Sequence, residues 1–176
     1  MNIFITTGTY SFLEKIKFRH PSECIVLMQS TEDSSSLLMH ETTGDTIFQQ
    51  PRKYEVLDHA GDIDQVGFIS LNHIPVTDEG RPLFEFRFQD RSQLINKEPG
   101  FLAYRLLRPL SNDTYIMMTV WKKELDYRKW KNSLSYAKTF EDIIAAEKKA
   151  YKNIFSGPSY LSTYIIPDED EEKTSK

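Results

Sequence analysis

The sequence predicts an α+β fold in which two antiparallel sheets face each other within one chain. Three observations carry this. Apolar runs are strand-length throughout, such as Cys24 to Met28 and Tyr115 to Met118, and turn residues bound them. From about residue 65 the elements follow the order β-α-β-β-α-β, the split βαβ order of a ferredoxin-like unit. The stretch before it holds short strands that can cover the open face of that unit's four-stranded sheet.

Ile3 to Thr7 is β-branched and alternating, which suits a strand. Phe12, Leu13 and Ile16 recur at helical spacing over Tyr10 to Phe18, and Pro21 stops the helix. Cys24 to Gln29 reads as a strand, Thr31 to Ser36 as a turn and Leu37 to Thr42 as a strand. Thr43-Gly44-Asp45 is a hairpin turn into a strand over Thr46 to Gln50, and Pro51 opens an irregular or helical stretch ending near Gly61-Asp62. Val66 to Val76 is extended, with Phe68, Asn72, Ile74 and Val76 on one face by period-two counting. After the turn Thr77 to Gly80, Pro82 to Asn96 suits a helix closed by Pro99-Gly100. Phe101 to Leu107 and Thr114 to Trp121 are strands around the turn Ser111-Asn112-Asp113. Leu125 to about Phe155 is helical with a break near Ser133, and Tyr160 to Ile166 is the last strand. Residues 1–64 then complete a barrel around a ferredoxin-like domain at 65–166, as if a dimeric α/β-barrel were folded into one chain. The acidic tail at 167–176 has no apolar periodicity and is expected to be disordered.

Composition excludes several function classes. Of the net charge of −4, −3 belongs to the tail from Asp168 to Lys176, so the body is nearly neutral and no nucleic-acid partner is expected. No run approaches the roughly 20 apolar residues of a membrane helix, so no membrane partner is expected either. Met1-Asn2-Ile3-Phe4 opens without a basic region, and one cysteine allows no internal disulfide; a cytoplasmic location follows. Cys24 opens an apolar run and reads as a buried, inert thiol. His20, His40, His59 and His73 form no close zinc-type pair, and phosphate-loop and nucleophile-elbow motifs are missing, so no metal site is assigned. Aromatic residues make up 12% of the chain, enough to fill a core and to line a pocket.

The run Asn72-His73-Ile74-Pro75-Val76, then Gly80, Phe84, Arg87-Phe88, Arg91, Pro99-Gly100-Phe101, Leu106-Leu107-Arg108-Pro109, Tyr115 and Trp121, resembles the antibiotic-biosynthesis monooxygenase domain. The front of the chain adds Thr7-Gly8-Thr9, Leu27-Met28-Gln29, His40 to Thr46 and Tyr54-Glu55-Val56. With these it is similar to the HmoB-like haem-degrading monooxygenases of the IsdG-like group. More distantly it resembles the staphylococcal target of RNAIII-activating protein. The resemblance covers about residues 3 to 166. It implies a protein that opens the porphyrin of haem, its substrate, with oxygen and an external electron donor such as a reductase, and releases iron.

The resemblance also implies site residues. The family's strand Asn falls on Asn72 and its helix Trp on Trp130, the two implied catalytic residues. The family's iron-ligating His stands ten residues after that Trp, and here the position is Phe140. Phe140 has no lone pair and can only add apolar wall. Tyr136 lies one helical turn before it on the same face, and a phenolate can ligate haem iron. His73 neighbours Asn72 on a strand, so it should face away from the pocket. Arg87, Arg91, Arg105 and Arg108 could meet haem propionates, or bridge to Glu85 and Asp90. Two alternatives stay open: a non-catalytic haem-binding or signalling protein of the same fold, and a cofactor-free monooxygenase for another aromatic small molecule. A barrel closed within one chain implies a monomer.

Overall fold

The computed structural model describes residues 1–63, 66–147 and 154–167, with 141–147 described by backbone alone. The chain is α+β. Its elements are β1 (Asn2–Gly8), α1 (Tyr10–Arg19), β2 (Ile25–Ser30), β3 (Ser36–Thr42), β4 (Arg52–Ala60), β5 (Gly67–Pro75), α2 (Arg81–Phe88), α3 (Ser92–Ile95), β6 (Phe101–Pro109), β7 (Thr114–Trp121), α4 (Glu124–Lys131), α5 (Leu134–Glu147) and β8 (Tyr160–Ile166).

The eight strands close into one antiparallel barrel in the order β1-β3-β2-β8-β5-β7-β6-β4, with β4 returning to β1. The first four strands lie in the order β4-β1-β3-β2, and the last four repeat it as β8-β5-β7-β6. Each half therefore has the ferredoxin-like strand order. The two expected sheets are joined crosswise, because the second strand of each half pairs with the fourth strand of the other, β2 with β8 and β6 with β4. Closure leaves no strand edge exposed.

Period-two alternation divides the core into layers. Ile3, Ile5, Val26, Met28, Ile69, Leu71, Ile116 and Met118 fill the barrel interior. On the outer face of the second half, Phe68, Ile74, Phe84, Phe88, Tyr115 and Trp121 pack between β-strands and helices. The β7 strand contributes to both layers, which explains its unbroken apolar run. On the outer face of the first half, Leu13 of α1 meets Phe4, Ile25, Leu27 and Leu38, with Phe48 from the loop after β3. The first half has no counterpart of α4 and α5 between β3 and β4; Ile47 and Phe48 stand in that place.

Several expectations are corrected. The strand expected at Thr46 to Gln50 is loop, and the stretch after Pro51 is the strand β4. Its alternation was masked by Arg52, Lys53, Glu55 and Asp58, yet Tyr54 and Val56 point into the barrel. The single helix expected over Pro82 to Asn96 is two, because Asp90 takes a positive φ of 62°. The Asp58 carboxylate then caps α3, accepting from the Ser92 backbone N–H at 3.0 Å and from its hydroxyl at 2.8 Å. Cys24 is exposed, not buried, because β2 begins one residue later. The expected break near Ser133 is present, and the Ser133 hydroxyl accepts the Tyr136 N–H at 3.2 Å. The C-terminal end of the expected helix is not helical at Phe155, which bridges to Val76, while residues 148–153 and the tail 168–176 lie outside the described residues.

A buried ion pair joins the halves. Arg105 of β6, 3% exposed, donates to both oxygens of Glu41 of β3 at 2.7 and 3.1 Å. Its remaining donor group reaches the carbonyls of Ala60, Gly61 and Tyr104 at 2.8–3.1 Å.

Candidate functional site

A cleft of about 220 Å³ opens outside the barrel, between the β5–β8 pair and the helices α4 and α5. Asn72 lines it from β5, Trp130 from α4, and Tyr136 and Phe140 from α5, so the four sequence-expected site residues come together. Ser70, Tyr127, Lys131, Ser159, Tyr160 and Leu161 complete the lining.

Local sequence explains the convergence. Asn72 and Ser70 are two apart on β5 and share its outward face. Tyr127 and Trp130 are three apart on α4, and Tyr136 and Phe140 four apart on α5, so each pair shares a helix face. The rings form one cluster: Trp130 lies 4.9 Å from Tyr136 and 6.0 Å from Phe140, and Tyr136 lies 4.6 Å from Phe140, centroid to centroid. Behind Trp130, the Trp121 ring stands at 5.0 Å.

The cleft floor is polar. The Trp121 indole N–H donates to the Thr119 hydroxyl at 2.8 Å, and that oxygen shares a 2.6 Å hydrogen bond with the Ser70 hydroxyl. Burial pushes the Tyr127 phenol up to about 12, and nearby Tyr136 adds to the rise while the hydrogen bond with Ser70 opposes it. Tyr127 is therefore a neutral phenol at physiological pH. The Trp130 indole N–H is buried and meets no hydrogen-bond acceptor among the described residues. An orphaned donor of this kind costs about 1–3 kcal/mol in desolvation unless a ligand accepts from it.

Phe140 is 5% exposed and forms wall. His73 faces away from the cleft. Its Nε2 meets the Ser162 hydroxyl at 2.8 Å and its ring stacks on Tyr160 at 4.4 Å. Burial, helped by Arg52, lowers it to about 4. None of the four arginines lines the cleft. Arg105 holds Glu41, Arg108 bridges Glu85 and Glu55, and Arg91 donates to the carbonyls of Arg87 and Lys138. Among the described residues no group of three His, Cys, Asp or Glu side chains could hold a metal ion. No helix among them is long and apolar enough to cross a membrane.

The antibiotic biosynthesis monooxygenase family model matches residues 67–142, which span β5 to α5 and hold Asn72, Trp130, Tyr136 and Phe140. A heme-degrading monooxygenase of Listeria monocytogenes is 30% identical over 166 residues, covering 94% of this chain and 95% of its own. The chain belongs to the antibiotic biosynthesis monooxygenase family. A signal transduction protein called TRAP from Staphylococcus epidermidis is 28% identical over 174 residues, covering 97% of this chain and 99% of its own. Among solved structures, the heme-degrading enzyme LmHde of Listeria monocytogenes superposes with a TM-score of 0.72 at 26% identity, over 95% of this chain and all of the other. The family resemblance was carried by residues legible in the sequence. Ser70, Tyr127, Lys131 and the Ser159–Leu161 stretch were missed as lining. Period-two counting from Asn72 and helical spacing from Trp130 would have found the first two.

Proposed function

We propose that this family member is a cytoplasmic monooxygenase for a flat aromatic substrate, haem foremost, opening the porphyrin with oxygen and electrons from a reductase. The observation that carries this reading is the convergence of Asn72, Trp130, Tyr136 and Phe140 on one aromatic-walled cleft. The Asn72 amide would donate a hydrogen bond to an oxygen atom at the reacting centre. The bulk of Trp130 would press on the substrate plane, and Phe140 would keep water from one side. Tyr136 is the candidate oxygen donor to iron, because it lines the cleft one helical turn before Phe140. The cleft is smaller than the roughly 300–1,000 Å³ of sites that enclose their ligand, so a porphyrin would project from its mouth. Closure of the barrel within one chain supports a monomer.

The test is a haem titration followed by optical and electron paramagnetic resonance spectra, then ascorbate or a reductase under oxygen. The expected result is a Soret band with an oxygen-donor axial ligand, followed by bleaching. No Soret shift at protein excess refutes the haem reading. A second reading is favoured by Phe140 standing where the resemblance implies a histidine: the protein binds haem without turnover and serves as a sensor or signalling protein. It expects the Soret band without bleaching.

A further inference from the structure

We propose that Lys131 sets the charge class of the ligand, so that the cleft takes a flat aromatic molecule bearing a carboxylate, its ring against Trp130, Tyr136 and Phe140 and its carboxylate on the Lys131 ammonium. This rests on the reading of the cleft as an aromatic-substrate site, and names which aromatic molecules it admits.

Lys131 is the one charged side chain among the described residues that line the cleft; the others are aromatic, aliphatic, hydroxyl or amide. No carboxylate among the described residues shares the lining to oppose its field. The basic neighbour Arg128 on the same helix is committed to Glu124 at 2.6 Å, whereas Lys131 makes no ion pair of this kind among the described residues. Its Nζ instead sits 6.0 Å over the Tyr127 ring, whose own side chain forms part of the cleft. That contact tethers a flexible stem at the mouth. A substrate plate on the aromatic wall would find one neutral donor deeper in, the Asn72 amide, and one cation at the mouth. A neutral donor inside and a single cation at the rim match a molecule with a buried neutral ring and a solvent-side carboxylate. The propionates of haem have this disposition, as do aromatic acids of the anthraquinone type.

The experiment compares acid and ester forms of two probes: haem with its dimethyl ester by Soret titration, and anthraquinone-2-carboxylate with its methyl ester by quenching of tryptophan fluorescence. Each is titrated into the wild-type protein, Lys131→Ala and Lys131→Glu. The expected wild-type preference for the acid is about 3- to 10-fold, the size of one charge-assisted contact at a solvent-exposed rim. Lys131→Ala should erase that preference with ester affinity unchanged within about twofold, and Lys131→Glu should reverse it. Because Lys131 is exposed, Lys131→Ala should leave the unfolding midpoint nearly unchanged, and Lys131→Glu, a carboxylate at the C-terminal end of α4, should lower it by no more than roughly 2–4 °C. Equal wild-type affinity for acid and ester, or an acid preference that survives in Lys131→Ala, overturns the inference. Binding of the anthraquinone pair with acid preference, but not of haem, refutes the haem reading alone and supports this one. Failure of both pairs to bind overturns both.

Discussion

Replacing Trp130 by Phe separates a ligand-facing indole from one that merely fills space. Trp130 is 2% exposed and packed against Trp121, Tyr136 and Phe140 at 5.0, 4.9 and 6.0 Å, so loss of the five-membered ring should cost about 1–2 kcal/mol in contacts. The same substitution deletes a buried N–H that has no acceptor among the described residues, which returns about 1–3 kcal/mol. The two effects oppose, and Trp130→Phe should leave the protein between about 1 kcal/mol less and about 2 kcal/mol more stable, with roughly 2–4 °C in midpoint per kcal/mol for a chain of this size. If a ligand accepts from the indole, its loss should weaken haem by about 3- to 10-fold. The assay pairs urea unfolding with Soret titration of the same preparations. A variant destabilised by more than about 3 kcal/mol with unchanged haem affinity would refute the reasoning, and Trp130 would then be core alone.

Three further outcomes are expected. Phe140→His should introduce an imidazole ligand to haem iron, visible as a nitrogen-donor electron paramagnetic resonance signal and higher haem affinity; an unchanged spectrum in a folded variant would remove Phe140 from the iron's reach. Arg105→Met should destabilise by about 3–5 kcal/mol in urea, since it strands the Glu41 carboxylate and three carbonyl oxygens, and a loss below about 1 kcal/mol would count against the staple between the halves. His73 is depressed from 6.5 to about 4, so the unfolded chain binds the proton first and stability is lost as pH falls from about 6.5 towards 4. His73→Gln should flatten that part of the stability–pH profile by about 2–3 kcal/mol; an unchanged slope would contradict the burial of the neutral ring.

Much of this was legible in the residues. The second half declared itself because β5, β6 and β7 are apolar on inward and outward faces alike, and the family residues fall at ordered spacing within them. The first half was harder. The β4 strand carries five charged or titratable side chains besides Tyr54, so its inward alternation of Tyr54 and Val56 was outweighed by polarity. Ile47 and Phe48 imitate a strand because they are β-branched and aromatic, but they are loop residues filling the place of an absent helix. For the site, local spacing reaches Asn72, Trp130, Tyr136 and Phe140. It cannot reach Ser159 to Leu161, since only the pairing of β8 beside β5 brings them there. The role proposed for Lys131 was hidden for a different reason: a lysine on an amphipathic helix reads as solvated until the neutrality of its described neighbours is known.

The position of β8 has a consequence for folding. This strand lies between β5 and β2, separated from β2 by some 130 residues of chain. Its seam with β2 is short, with Gln29 opposite Ile165 and Ser30 opposite Tyr164, extended by the Thr31–Thr163 bonds. Seven strands without β8 leave an open slot with two unpaired edges, so the barrel closes only when residues 160–166 dock. Because β8 also brings one wall of the cleft, a barrel still lacking it has no complete ligand site. Ligand capture thus waits on the same long-range pairing that shuts the barrel.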